Sequence, residues 1–343
     1  MSALWSSELW SSDLWVQRAL VLGLAAGLDR IVGDPWGWPH PVQAIGRVIG
    51  WGSRAIQRLK LPPSGERRLG VILALGVMLG SGLVGWWAVH LAGMVHPMVG
   101  IAAEVVLLAS CLAGRSLRRA AEEVLNPLAV ADIPTARQRL ALYVGRDTEN
   151  LDEPEILRAV LETVSENATD GVLAPLFYAL VGAFLPWGSV PVALAYKAAS
   201  TLDSMVGYRE APYTHLGWFS ARFEDGLTWL PCRLTVLTIA LLSGRPRQVV
   251  RLCRRDAPAD PSPNAGWSEC AYAAALGVQL GGRNIYRGQV KEKPLLGDAV
   301  RSIECDRILA ALALTRRAAL LWLGLGVSAL AAAALWNNQY ISF

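Results

Sequence analysis

Long apolar segments constrain the fold of this chain more than any other feature of its sequence. Four of them approach or exceed the roughly 20 residues that a helix needs to cross a bilayer, and they cover about residues 69–95, 97–114, 172–196 and 318–336. Hydrophobic residues make up 53% of the 343 residues, charged residues make up 17%, and the mean hydropathy is +0.34. Soluble globular domains are usually less apolar and more charged than this. The sequence therefore predicts an all-α, polytopic integral membrane protein, a single domain over residues 1–343 with about four to six membrane-embedded helices.

Basic residues are concentrated in three stretches, about residues 54–68, 115–139 and 245–317. Lys and Arg beside membrane helices favour the cytoplasmic side, so we expect these polar helices and loops to lie there. The segment 318–336 is then a C-terminal transmembrane helix. The net charge of +4 is too small to indicate nucleic-acid binding, and the lipid bilayer is the expected partner of the apolar surface.

Proline and glycine predict two helical hairpins. The first two apolar runs would turn at His96 on the side opposite the basic stretches. The sequence Leu-Pro-Trp-Gly-Ser at 185–189 interrupts the third run, so residues 172–202 would return to their starting side instead of crossing. The later run 227–243 contains a proline and an arginine, and we interpret it as a core or interfacial helix.

A glycine motif lies within the first long run. Residues 80–85, Gly-Ser-Gly-Leu-Val-Gly, match the dinucleotide-binding pattern G-x-G-x-x-G, but no strand precedes them. Small residues at such spacing allow membrane helices to approach closely. Helix packing is therefore the better interpretation of this motif.

Three carboxylates at positions i, i+4 and i+8 directly precede the third apolar run, in the stretch Glu-Thr-Val-Ser-Glu-Asn-Ala-Thr-Asp. In a helix, Glu162, Glu166 and Asp170 share one face, where like charges repel. A metal ion, a cationic side chain or shared protons would neutralise this row, and Asn167 adds an amide that can orient a ligand. The alternative is an ordinary solvated helix face, with Glu162 paired to Arg158.

A second polar cluster follows the third apolar run. Lys197, Thr201 and Ser204 share one helical face and offer a cation and hydroxyls suited to phosphate, although a lysine at a helix end often only extends toward the interface. The predicted hairpin would bring this cluster beside the carboxylates. Three loop-like groups could also contact an anion or a metal: Gly145-Arg146-Asp147-Thr148, Arg222-Phe-Glu224-Asp225 and Pro263-Asn264-Ala-Gly-Trp-Ser-Glu269.

Several ordered blocks of the sequence together resemble the cobalamin-biosynthesis family CobD/CbiB. The resemblance extends from about residue 15 to about residue 310. The blocks are Leu28-Asp29-Arg30, Gly33-Asp34-Pro35, His40-Pro41-Val42, Gly145-Arg-Asp-Thr148, Glu162-Thr-Val-Ser-Glu-Asn167, Asp170-Gly-Val172, Ala174-Pro-Leu-Phe-Tyr178, Thr201-Leu-Asp-Ser-Met-Val-Gly-Tyr208, Ser262-Pro-Asn264 and Gly266-Trp267.

This resemblance implies an integral membrane enzyme, adenosylcobinamide-phosphate synthase. Such an enzyme joins adenosylcobyric acid to (R)-1-amino-2-propanol O-phosphate with ATP as co-substrate and Mg2+ as cofactor. It implies a corrinoid and an aminopropanol phosphate as partners, a place in the cell inner membrane with the active site on the cytoplasmic side, and contact with other membrane enzymes of the pathway.

Amide formation from a carboxylate and an amine requires activation, which ATP can supply by forming an acyl phosphate. On this hypothesis Glu166 and Asp170, with Asp203 as a further carboxylate, hold Mg2+ on the ATP phosphates. Lys197 and Arg146 balance the transferring negative charge.

The remaining candidates concern the second substrate. Arg209 or Arg222 would bind the phosphate of the amine substrate, and Glu162 or Glu224 would accept the proton of its ammonium group. Asn167, Thr201, Ser204 and Asn264 are the other candidate substrate-binding residues.

Two other functional classes remain open from the residues alone. A transporter could use the carboxylates at 162–170 and the broken hairpin as an ion path. Against it stands the large polar mass that we expect in the cytoplasm. A membrane scaffold for a pathway complex would leave the polar clusters unexplained.

Overall fold

The computed structural model describes residues 12–33, 37 and 40–340, and these form a helical protein with one small β-hairpin. Asp34 and Pro35, which belong to one of the recognised blocks, lie outside the described residues. The first seven helices are α1 (Ser12–Ile31), α2 (Pro41–Arg58), α3 (Pro63–Val95), α4 (Pro97–Ala109), α5 (Gly114–Leu128), α6 (Ile133–Leu140) and α7 (Glu153–Asn167). A π-helical turn (Ala168–Leu173) then leads to α8 (Ala174–Ala183), α9 (Ser189–Val206), α10 (Trp218–Leu242), α11 (Pro246–Asp256), α12 (Ala265–Leu276), β1 (Leu280–Tyr286), β2 (Gln289–Leu296) and α13 (Cys305–Tyr340).

Four helical stretches in the described part of the chain are long and apolar enough to cross a membrane, and they confirm the predicted polytopic membrane protein. Three of them contain predicted apolar runs, whereas residues 172–196 form no continuous helix. The fourth is α10, which contains all but the last residue of the run 227–243, for which the sequence predicted a core or interfacial helix, and whose length and composition suit a membrane span. The stretches are Pro63–Val95, Pro97–Leu128, Trp218–Leu242 and Cys305–Asn337.

The described residues pack as two compact units, so the single domain expected from the sequence has two parts. The first unit lies within Met1–Ala113, Pro175–Leu227 and Leu320–Phe343, and the second comprises Gly114–Ala174 and Thr228–Ala319.

In the first unit, α3 and α4 form the predicted hairpin. His96 joins them in an extended conformation (φ −165°, ψ 140°), and its Nδ1 accepts a hydrogen bond from the Met98 amide at 3.2 Å. Pro97 begins α4, where its missing N–H costs nothing. The Cβ that Gly100 lacks would lie 2.9 Å from the Cα of Gly93, so two glycines allow the helices to approach closely.

The glycine motif at 80–85 confirms the helix-packing interpretation. A Cβ added at Gly82 would lie 2.9 Å from the backbone oxygen of Pro191 in α9, and one added at Gly85 would lie 2.4 Å from Leu194 Cδ1. Both glycines therefore face α9, and neither belongs to a strand-to-helix phosphate loop.

The break predicted at 185–189 is confirmed, because α8 ends at Ala183 and α9 begins at Ser189. The rings of Tyr178 and Tyr196 stack with centroids 4.6 Å apart, which requires the two helices to run side by side. Gly188 has a φ of +83°, a conformation that favours glycine. Residues 172–202 thus form a helical hairpin.

In the second unit, an antiparallel β-hairpin packs against α7, α11 and α12. Its strands are joined by Arg287 (φ +50°) and Gly288 (φ +75°), and two successive residues with positive φ are typical of a type I′ turn. This hairpin is absent from the predictions made from the sequence. The reason is that Gln289–Glu292 are all exposed, so β2 lacks the alternation of polar and apolar residues that indicates a strand.

A candidate site built on buried carboxylates

Helix α7 carries the first two carboxylates of the predicted row. It begins with a capping box in which Asp152 accepts from the Glu155 amide and the Glu155 side chain accepts from the Asp152 amide. Its apolar face, which includes Ile156 and Val160, is buried. The helix is therefore held firmly at its start and along its length, and its last turn carries Glu166.

A π-helical turn follows α7 directly and carries Asp170. Such turns are rare and are frequent at functional sites. Here the turn is tied to α12, because the hydroxyls of Thr169 and Ser268 lie 2.7 Å apart and Ser268 donates to the Ser165 carbonyl at 2.6 Å. These bonds bring α12 alongside the end of α7.

Glu162 is fully engaged by other side chains. Its carboxylate is 2% exposed, forms an ion pair with Arg146 and another with Arg158 (3.1 Å), and accepts from the Gly281 amide at 3.0 Å. Burial would raise the pKa of Glu162, but Arg146 and Arg158 outweigh it and the net effect is a lowered pKa. The pairing with Arg158 belonged to the alternative of a solvated helix face; the pair is present, but Glu162 is buried rather than solvated. Glu162 also fastens β1 to α7.

Arg146 is buried beside Glu162 and also donates to the Asn284 side chain of β1 at 2.7 Å. Its guanidinium therefore already has two partners within the protein. Its proposed role in balancing transferred charge stays a prediction.

Glu166 keeps part of its surface exposed but is surrounded by other charges. Burial raises its pKa, the Lys293 ammonium opposes that rise, and the carboxylates of Asp260 and Glu162 add to it. Asp170 is also partly exposed.

Glu269 and Lys293 form a further charged pair, in which Glu269 is buried and Lys293 is partly exposed. Glu269 lies on α12 with 0% exposure, and neither of its carboxylate oxygens has a hydrogen-bond partner in the described part of the protein. The Nζ of Lys293 on β2 lies 3.5 Å from its Oε1. Burial, opposed by Lys293 and reinforced by Glu166, raises the pKa of Glu269 to about 8. The sequence indicated the group 263–269 that contains Glu269, but the loop predicted there is wrong for Glu269, which lies in α12. No signal indicated Lys293, because it lies on the strand that the sequence did not predict.

The other two candidates in the second unit, Asn264 and Asn167, form hydrogen bonds with neighbouring protein groups. Asn264 is buried, its backbone oxygen accepts from the Cys232 thiol at 3.3 Å, and Arg233 approaches its side-chain oxygen at 3.5 Å. Asn167 is exposed and donates to the Thr163 carbonyl of its own helix at 3.0 Å. Neither contact tests a substrate-binding role.

The remaining candidates all belong to the first unit. Lys197, Thr201 and Ser204 lie on α9 as predicted, with the hydroxyl of Thr201 donating to the Lys197 carbonyl at 2.7 Å and that of Ser204 donating to the Thr201 carbonyl at 3.0 Å. Asp203 is partly buried on the same helix, and Arg209 is exposed. The group 222–225, predicted to be loop-like, lies instead within α10, where Arg222 is exposed and Glu224 is buried. The acidic row is in the second unit, so the predicted common site stays a prediction.

Glu162, Glu166, Asp170 and Glu269 are together called the acidic cluster. Two of them, Glu166 and Asp170, fit magnesium binding that is shared between protein carboxylates and substrate phosphates. Proteins often hold Mg2+ through one or two carboxylates together with water and substrate phosphates, and Glu166 and Asp170 are two partly exposed oxygen donors. Within the described ranges, no group of three or more His, Cys, Asp or Glu side chains is arranged to hold a metal ion. The donor set suits an ion that arrives with phosphates.

Comparison with known proteins assigns the chain to a family. The profile described as CobD/Cbib protein matches residues 22–315. The cobalamin biosynthesis protein CobD of Synechocystis sp. is 52% identical over 326 residues, covering 94% of this chain and 95% of that protein. The cobalamin biosynthesis protein CbiB of Salmonella typhi is 43% identical over 310 residues (88% and 94%), and CobD of Halalkalibacterium halodurans is 41% identical over 298 residues (85% and 90%). No solved structure matches. The chain belongs to the CobD/CbiB family of membrane proteins that act in cobalamin biosynthesis.

Proposed function

We propose that this chain is an ATP-dependent amide ligase that joins adenosylcobyric acid to (R)-1-amino-2-propanol O-phosphate. Membership of a cobalamin-biosynthesis family supports a biosynthetic role, and the resemblance noted in the sequence supports this reaction. The observation that carries the proposal is the acidic cluster of the second unit. Glu166 and Glu269 remain there without the guanidinium partners that neutralise Glu162.

The proposed reaction has two steps. A carboxylate oxygen of the corrinoid attacks the γ-phosphorus of ATP, so that an acyl phosphate forms and ADP leaves. The ammonium of the amine gives one proton to water, and its nitrogen then attacks the acyl carbon and gives up a second proton to water as the amide forms. The C–N bond forms, the bond from carbon to the phosphate oxygen breaks, and inorganic phosphate leaves.

On this proposal Glu166 and Asp170 hold Mg2+, which when bound neutralises charge on the nucleotide phosphates. Their role is to fix the position of those phosphates relative to the corrinoid carboxylate, since catalysis of phosphoryl transfer rests mainly on positioning and charge. Asp203, on α9 in the first unit, stays a separate candidate carboxylate. Glu162 is a poor proton acceptor, because two guanidinium groups favour its charged form.

The polar face of α9, which lies in the first unit, is a separate candidate for binding phosphate in this proposal. Lys197, Thr201 and Ser204 would contact phosphate oxygens, and Arg209 or Arg222 would bind the phosphate of the amine. We place this chemistry on the cytoplasmic side of the cell membrane, where ATP is available.

The direct test is reconstitution of the purified protein in detergent with both substrates, ATP and Mg2+. We expect mass spectrometry to detect a corrinoid heavier by one aminopropanol phosphate less one water. Glu166→Gln and Asp170→Asn should each lower turnover by roughly 100-fold or more if they position the transferring charge. The exposed Glu149 provides a matched control, and Glu149→Gln should leave turnover unchanged.

Two outcomes would contradict the proposal. Absence of product with well-folded wild-type protein would contradict ligation, and uptake of ions or corrinoid into proteoliposomes would then favour the transporter. Full turnover in both Glu166→Gln and Asp170→Asn would contradict the magnesium assignment.

A further inference from the structure

Glu269 has an unusual environment for a carboxylate with no exposed surface. An ionised carboxylate has room for about four hydrogen bonds, and buried polar groups in proteins are normally satisfied. Neither oxygen of Glu269 has a hydrogen-bond partner among the described residues. Its nearest cation, the Lys293 ammonium, lies at 3.5 Å, longer than the roughly 2.7–3.2 Å of an ordinary N–H···O bond.

Glu162 shows that this part of the protein can satisfy a buried carboxylate fully. It receives Arg146, Arg158 and the Gly281 amide. Glu269 lies near enough to Glu162 for the two charges to interact, yet it receives no such set of donors. The contrast indicates that the oxygens of Glu269 are left for a ligand.

The charges around Glu269 determine which ligand fits. The titratable groups that act on it are Lys293, Glu166, Glu162 and Asp260. Arg146 and Arg158 neutralise Glu162 and leave one positive charge over, so two positive charges, counting Lys293, stand against the three carboxylates of Glu269, Glu166 and Asp260. An excess of negative charge in a shielded place favours a cation, and the group already present there is a primary ammonium.

We propose that Glu269 binds the ammonium group of the amine substrate, in the place that the Lys293 ammonium occupies in this structure. The inference rests on the proposed function for the identity of the amine, because one of the two substrates of that reaction carries a primary ammonium.

Lys293 is suited to giving up this place. It lies on β2, its side chain is 30% exposed, and the strand residues before it, Gln289–Glu292, are exposed. A lysine ammonium sits on a flexible four-carbon stem, so it can turn toward solvent without movement of the strand. The hairpin itself stays fastened to α7 through Glu162 and Arg158.

The test measures binding of two small ligands to the full-length protein in detergent by calorimetry, without ATP or corrinoid. One ligand is (R)-1-amino-2-propanol O-phosphate, and the other is propane-1,2-diol 2-phosphate, which has a hydroxyl in place of the ammonium. Glu269→Gln should weaken binding of the amine roughly 10- to 100-fold, the effect of losing a charged hydrogen bond, and leave the diol phosphate unchanged. Glu292→Gln, an exposed neighbour of Lys293, should change neither.

Equal weakening of both ligands, or no weakening of the amine, would overturn the proposal. So would a loss of Mg2+-dependent ATP binding in Glu269→Gln with amine binding intact, because Glu269 would then serve the metal. If Glu269→Gln does not fold, Lys293→Met provides the second measurement. At pH 9 it should bind the amine at least as tightly as the wild type, and weaker binding would contradict displacement of the lysine.

Failure of this proposal is distinguishable from failure of the ligase. If the wild type forms no amide but Glu269→Gln still loses the amine selectively, the ammonium site stands and the ligation reaction does not. If the wild type forms the amide and Glu269→Gln binds the amine normally, the ligase stands and the ammonium site does not.

Discussion

Two buried glutamates of the second unit have opposite electrostatic environments. Glu162 has two arginine partners and a lowered pKa, whereas Glu269 has one lysine at 3.5 Å and a raised pKa. Both are deeply buried, so the difference comes from their partners. Glu162 is suited to holding α7 and β1 together, and Glu269 is suited to contact with a ligand.

We predict that Glu162→Gln destabilises the protein by about 3–5 kcal/mol, because Arg146 would be left buried without an anionic partner. Thermal unfolding in detergent, followed by tryptophan fluorescence, measures this change. The control Glu149→Gln, on an exposed residue, should fall within about 0.5 kcal/mol of the wild type. Equal stability of Glu162→Gln and the control would mean that the ion pairs contribute little.

A second prediction concerns pH. The pKa of Glu269 is raised from an ordinary 4.5 to about 8, so between these values the folded protein binds more protons than the unfolded chain. The unfolding free energy should therefore fall as pH rises from about 4.5 to about 8. The raised pKa of Glu166 acts in the same direction. Glu269→Gln should flatten this dependence, and an unchanged slope in the variant would contradict the assignment.

At the scale of elements, close contacts between helices determine how α3 packs against α9, whereas the β-hairpin places side chains beside the buried carboxylates. The glycines of α3 allow a close approach to α9, which carries the polar face of Lys197 and Thr201. The hairpin delivers Lys293 and Asn284 to the carboxylates of α7 and α12. Its turn is tied down separately, because Asp147 accepts from the backbone amides of the two turn residues at 2.9 and 2.7 Å.

We predict that Gly82→Ala destabilises the protein by about 1–3 kcal/mol, since the new Cβ would lie 2.9 Å from the backbone oxygen of Pro191. Gly76→Ala on the same helix is the matched control. Nothing lies within 4 Å of a Cβ at that position, so the change should be neutral or stabilising by up to about 1 kcal/mol. Unfolding temperatures of the two variants measure the difference, and equal temperatures would contradict the packing assigned to Gly82.

At the scale of the whole molecule, the sequence predicted what depends on local patterns. The length of the apolar runs predicted three of the four described helices that are long and apolar enough to cross a membrane. Proline and glycine predicted both helical hairpins. The i−4 spacing also allowed the pairing of Glu162 with Arg158, which was part of the alternative interpretation of the acidic row. These features are determined by residues close together in the chain.

The features that the sequence did not predict depend on distant residues. Lys293 meets Glu269 only because a polar, exposed strand folds back onto α12, and Arg146 meets Glu162 only through the packing of a loop against α7. No periodicity marks such contacts. The lack of hydrogen-bond partners for the oxygens of Glu269 likewise follows from tertiary packing, so the sequence could indicate its neighbourhood in the chain but not its environment.

The central proposal is that this family member activates a corrinoid carboxylate with ATP and then forms an amide from it. The most direct test uses adenosylcobyric acid with ¹⁸O in its free carboxylate, incubated with the purified wild-type protein, ATP, Mg2+ and aminopropanol phosphate. We predict that one ¹⁸O atom appears in inorganic phosphate for each amide formed, because the carboxylate oxygen leaves with the phosphoryl group. Amide formation with no label in phosphate, or ATP consumption with no amide, would contradict the account.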